Sequence, residues 1–147
     1  MRTSEDTLLE AGASLEIALE AGPGRGPQAW AARIDESLAA IASAVARHSR
    51  NLQASGGGVV EVSGGQAPSP GMDRQVKRLW RNLADLQREA EALRSSVREV
   101  MNPEGEGSRI DEVQERAAHL LAGLDRYVRE EAHLILESTT TEVGAGD

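Results

Sequence analysis

The feature that most constrains this chain is the stretch 72–101, where apolar residues recur at alternating steps of four and three. They are Met72, Val76, Leu79, Leu83, Leu86, Ala90, Leu93, Val97 and Val100. An unbroken 3.5-residue repeat of this kind is the seam of a long packed helix. At about 1.5 Å per residue the helix is roughly 45 Å long, and so narrow an apolar stripe needs partner helices to cover it. The rest of the chain has to supply them.

It does so with three more amphipathic segments. A first helix is predicted over about 4–20, capped by Thr3 or Ser4, with Glu5 and Asp6 well placed in its first turn. Its seam is Leu8, Ala11 or Gly12, Leu15 and Leu19. Glycines and prolines between Gly22 and Pro27 end it, and Pro27 suits the first turn of the second helix. That helix, over about 28–54, carries Ala31, Ile34, Leu38, Ile41, Val45, His48 and Leu52. The seam helix closes at Asn102-Pro103. Ser108 with Asp111 forms a weak capping box for a last helix over about 109–138, whose seam is Ile110, Val113, Ala117, Leu120, Leu124, Val128, Glu131 and Ile135.

Residues 55–71 are rich in Gly, Ser and Pro and longer than the usual helix–helix connection. They read as a flexible loop whose Val59, Val60 and Val62 dock on the bundle as a plug. Residues 139–147 lack periodicity and read as a loose tail. The expected fold is all-α: one domain, an antiparallel up-down-up-down four-helix bundle with one long Gly/Ser/Pro-rich loop between helices 2 and 3.

Composition narrows the function. A net charge of -8 disfavours phosphate backbones and anionic lipid surfaces as partners. Phe is absent and aromatics make up 2%, which leaves no base-stacking platform. Without Cys there is neither disulfide nor thiolate metal site. Acidic residues stand where an export signal needs basic ones, and no apolar run approaches the roughly 20 residues of a membrane span. A cytoplasmic protein is the expectation.

Two seam positions are polar. At 100° per residue Glu131 falls inside the arc of Val113, Leu124 and Val128, with Tyr127 flanking it, and His48 reaches the interior from the second helix. Buried charge is costly unless paired, so His48, Tyr127 and Glu131 are expected to find one another as an interior polar cluster. Such a cluster fixes helix register, or it is the remnant of a metal or proton-transfer site. If the cluster is wet, a proton on His48 near the usual histidine value of about 6.5 would place charge in the core and loosen packing, and His48→Leu would then stabilise the fold or leave it unchanged and abolish that response.

Other polar groupings read as surface. Glu130 and His133 form a single Glu-x-x-His that faces outward, and Glu115 and His119 form an i, i+4 pair. Gly56-Gly57-Gly58 lacks the Lys-Ser/Thr of a phosphate-binding loop. Arg74, Lys77, Arg78 and Arg81 make a basic stripe beside Trp80, tempered by Asp73 and Asp85. No nucleophile motif appears.

Three stretches suggest a family: Ala29 to Ile34 leading to Arg47-His48, the region from Arg74 to Leu86, and the acidic-apolar run from Leu120 to Glu137. Together they resemble the hemerythrin-like four-helix bundles, particularly compact bacterial members. That resemblance implies two irons held by a lone His on one helix, His-x-x-x-Glu on the next, then His-x-x-x-His and His-x-x-x-x-Asp. Here His48 sits as the lone His should, Arg74 and Leu83 stand where His is sought, and Tyr127 replaces a His one turn before Glu131. The implied protein is a divergent member that has kept the bundle and lost most ligands.

The leading expectation is therefore a non-enzymatic interaction or regulatory module without cofactor, meeting a protein partner or a second copy of itself. One alternative is an iron-binding protein in oxygen or redox sensing, with His48, Glu131 and Tyr127 as ligands. The other is a coiled-coil assembly protein, since a strict 3.5-residue repeat also suits pairing between chains.

Overall fold

The computed structural model describes residues 4–24, 26–54, 70–101 and 110–145, and side chains over 6–24, 26–52, 74–101 and 110–137. The described residues form four helices and no strand: α1, Ser4–Ala21, α2, Pro27–Ala54, α3, Pro70–Met101, and α4, Ile110–Ala145. They pack as an all-α bundle in which α2 lies between α1 and α3, and α4 lies against α3 and α1. The pairs α1/α3 and α2/α4 are the diagonals. Of the expected loop 55–71, residues 70 and 71 belong to α3, while 55–69 with the valines, and 102–109, lie outside the described residues.

Prolines open α2 and α3, where a missing N–H costs nothing and the fixed φ suits the first turn. α1 ends on Gly22, whose φ of +69° is the left-handed cap that glycine adopts without strain. Its amide donates back to the carbonyls of Ala18 and Leu19 at 3.3 and 3.2 Å. The Ala18 carbonyl is also met by Trp30 Nε1 at 3.0 Å, so a fully buried indole joins the end of α1 to the start of α2.

The last helix corrects the expected boundary at 138: it continues to Ala145. Nothing between Thr139 and Val143 is a Pro or Gly, and extending a helix gains one hydrogen bond per residue fixed.

Every described member of the α3 seam, from Val76 to Val100, is buried. α2 turns a broader face inward, adding Trp30, Ser37 and Ala44 to the expected stripe. On α1 both Ala11 and Gly12 are inside. Gly12 permits the close approach of α4, because a Cβ there would stand 3.0 Å from Leu124 Cδ2. On α4 the expected seam is corrected in its second half. Buried positions run Val113, Ala117, Leu120, Leu124, Tyr127, Glu131 and Leu134, while Val128 and Ile135 are half-buried. Two consecutive steps of four would rotate the stripe away from its partners, and the step of three to Tyr127 keeps it in place.

Candidate functional site: an interior polar triad

One polar layer interrupts the aliphatic core. α2 contributes His48, 4% exposed, and α4 contributes Tyr127 and Glu131, 1% and 5% exposed and one turn apart. His48 and Glu131 thus meet across a diagonal of the bundle, where a contact must pass through the centre. Tyr127 is a full member of the seam and not its flank.

A single oxygen organises the layer. Glu131 Oε2 lies 2.6 Å from His48 Nε2 and accepts the Tyr127 hydroxyl at 2.6 Å. With Nε2 protonated, the imidazole donates to the same atom, and both distances belong to the short range of hydrogen bonds to ionised groups. The imidazole and phenol rings pack edge-to-face at 88° with centroids 5.8 Å apart. A charged imidazolium at His48 would be paired with the Glu131 carboxylate across the core.

Asn82 Nδ2 donates to Glu130 Oε2 at 3.2 Å, which joins α3 to α4 beside the layer. Leu83 is 1% exposed and aliphatic. Arg74, the other position where the family resemblance seeks a His, is exposed. Among the described residues no three His, Asp or Glu side chains converge as a metal-holding group. One imidazole, one carboxylate and one phenol do not fit a two-iron centre.

The remaining candidates separate. His119 turns from Glu115 toward Glu89 on α3, at 3.8 Å, and is largely exposed. His133 lies 3.7 Å from Glu137, while Glu130 is engaged by Asn82, so the Glu-x-x-His does not converge. Arg74, Lys77, Arg78 and Arg81 are all exposed, as a solvated face would be. Asp85 pairs with Arg88. Trp80 is half-buried, and its Nε1 is the one buried side-chain polar atom among the described residues without a hydrogen-bond partner.

Two features went unread in the sequence. Arg94 Nε donates to Asp35 at 2.9 Å, joining α3 to α2 at the edge of the core. That hydrogen bond holds the Arg94 guanidinium above the ordinary arginine value, with the charges of Asp35 and Glu91 acting in the same direction. The available signal was position, since Arg94 follows seam residue Leu93 and Asp35 follows Ile34. The second is a groove of about 240 Å³ between α3 and α4, lined by Arg78, Asn82, Leu86, Gly123 and Glu130, whose wall includes Tyr127. Gly123 keeps it open, because a Cβ there would come within 3.2 Å of Leu86 Cδ2.

Comparison with protein-family models, with curated proteins and with solved structures finds no match for this chain.

Proposed function

We propose that the chain is a non-enzymatic helical interaction or regulatory module, built like a hemerythrin-like bundle that has lost most of its metal ligands. One observation carries this reading: the interior donors are already engaged with each other, with Glu131 Oε2 accepting from Tyr127 and facing His48 Nε2 at 2.6 Å. A polar core satisfied from within acts as a register lock between α2 and α4 and leaves recognition to the surface. The accompanying topology is up-down-up-down and antiparallel. It is supported by the pairings of Ser14 with Ser37 and Ala18 with Trp30, and of Asn82 with Glu130 and Ser96 with Arg116. No helix among the described residues is long and apolar enough to cross a membrane, and a cytoplasmic location is part of the proposal.

A second reading, iron binding by His48, Glu131 and Tyr127, is favoured by the convergence of the three donors on one point. Metal content decides between the two. The untagged protein is incubated separately with ferrous iron, manganese and zinc, desalted, and measured for bound metal and visible absorbance. The module reading expects no stoichiometric metal. About one metal per chain, lost in His48→Ala and Glu131→Ala, would replace it with the second reading, and a coloured ferric form lost in Tyr127→Phe would add a phenolate ligand.

A further inference from the structure

α1 is the shortest helix, yet it has apolar residues on two faces. Leu8, Ala11, Leu15 and Ala18 point into the core. Leu9 and Ile17 point out, 47% and 68% exposed, and are two of the three large exposed hydrophobics among the described residues. Exposed aliphatic side chains are unremarkable singly. Ile17, however, forms one wall of a trough of about 430 Å³ between α1 and α2 that runs over Ala18 and Ser37, with Arg33 and Glu36 on the far wall. Small side chains along the trough, joined by the 3.2 Å contact of the Ser14 and Ser37 hydroxyls, leave room for a ridge of larger ones.

Carboxylates outnumber the one lining cation, Arg33, around the trough. From Thr3 to Gly24 there is no Lys, Arg or His, while α1 carries Glu5, Asp6, Glu10, Glu16 and Glu20. Glu20 at i+3 and Glu10 at i−7 share the face of Ile17, and Glu36 adds a carboxylate opposite. We infer that the α1–α2 trough is the docking site for a basic amphipathic helix of another protein, its aliphatic ridge against Ile17 and its cations against Glu20 and Glu36. On α1 the trough runs from Ser14 to Ala21, about two turns of contact. A second copy of this chain is a poor occupant. Its exposed basic stripe, Arg74 to Arg81, has no exposed large aliphatic on the same helix among the described residues, and two copies at -8 repel.

The test uses the full chain and a fluorescent 18-residue Leu/Lys amphipathic peptide as probe, with a Leu/Glu peptide and a Leu-to-Ala version as controls, read by anisotropy at several salt concentrations. The Leu/Lys peptide should bind, more weakly as salt rises, and the controls should not. Ile17→Arg should weaken binding by about tenfold or more. Ile17 is exposed, so this variant should keep its far-UV spectrum and unfolding midpoint. Glu20→Gln with Glu36→Gln should reduce the salt dependence, and Leu136→Arg on α4 should change nothing. Binding that is absent, equal for the acidic peptide, or undiminished in Ile17→Arg would overturn the inference. An Ile17-dependent dimer in light scattering would overturn it in favour of a second copy. The inference rests on the interaction-module reading, and the two fail separately: bound metal overturns the module, whereas peptide binding indifferent to Ile17 overturns only this surface.

Discussion

α3 and α4 carry the same alternating seam and bury it equally, yet one is wholly aliphatic and the other contains Tyr127 and Glu131. The difference lies in what each seam meets. Across its diagonal, Glu131 finds His48, whereas the described seam of α3, Leu83 included, is buried hydrocarbon throughout. A 3.5-residue repeat specifies that a side chain is inside. Whether a polar one is tolerated there depends on a donor supplied by a different helix.

The comparison breaks most visibly if the roles are exchanged. Leu83→Glu would place a carboxylate in the aliphatic seam of α3, and burying an unpaired charge should cost more than about 4 kcal/mol, enough to unfold a marginal domain. Urea unfolding followed by far-UV circular dichroism measures it. A folded Leu83→Glu protein with near-native stability would mean that the core admits carboxylates generally and that the pairing of Glu131 is not what permits it.

His48→Leu and Glu131→Leu address the pair itself. Each alone strands a buried partner and should cost about 3 kcal/mol, while the double variant should return to within about 1 kcal/mol of the parent or exceed it. That asymmetry differs from what His48 alone suggests, where a leucine would simply complete the seam. The non-additivity in a double-mutant cycle is the quantity to read, and additive single effects would remove the case for a register lock. Tyr127→Phe, which deletes one donor to the same oxygen, should cost about 1–2 kcal/mol in the parent and much less in the Glu131→Leu background.

Helices were legible because burial demands periodicity, and the α3 seam reads off residue by residue. On α4 the stripe drifts after Leu124 in a simple reading, since Val128 and Ile135 look like better core residues than Tyr127 and Leu134. Only the partner helices make the step of three visible. The polar layer was legible in part for the same reason: His48 and Glu131 stand at seam positions, and burial forces such groups to be paired. That Glu131 Oε2 is the shared atom is a matter of rotamers and interhelical distance, which no spacing encodes. The surface was less legible still. Arg94 and Asp35 are ordinary charges in sequence, and the α1–α2 trough arises from two helices that each contribute only small side chains.

The smallest expected effect separates the edge of the core from its centre. Arg94 and Asp35 join neighbouring helices while remaining about a quarter exposed, so water and salt weaken a bond that the interior triad makes without them. Arg94→Gln should cost about 0.5–1 kcal/mol, and the loss should shrink in about 1 M salt, whereas the Glu131→Leu loss should hardly change. The pH dependence has a definite sign. Because Arg94 is held above the ordinary arginine value, its contribution is complete below that value and fades only as pH rises through the higher folded one. The gap between parent and Arg94→Gln should therefore stay flat from about pH 6 to about pH 10. A gap that closes within that range would show that the pair is held by something other than the Asp35 hydrogen bond.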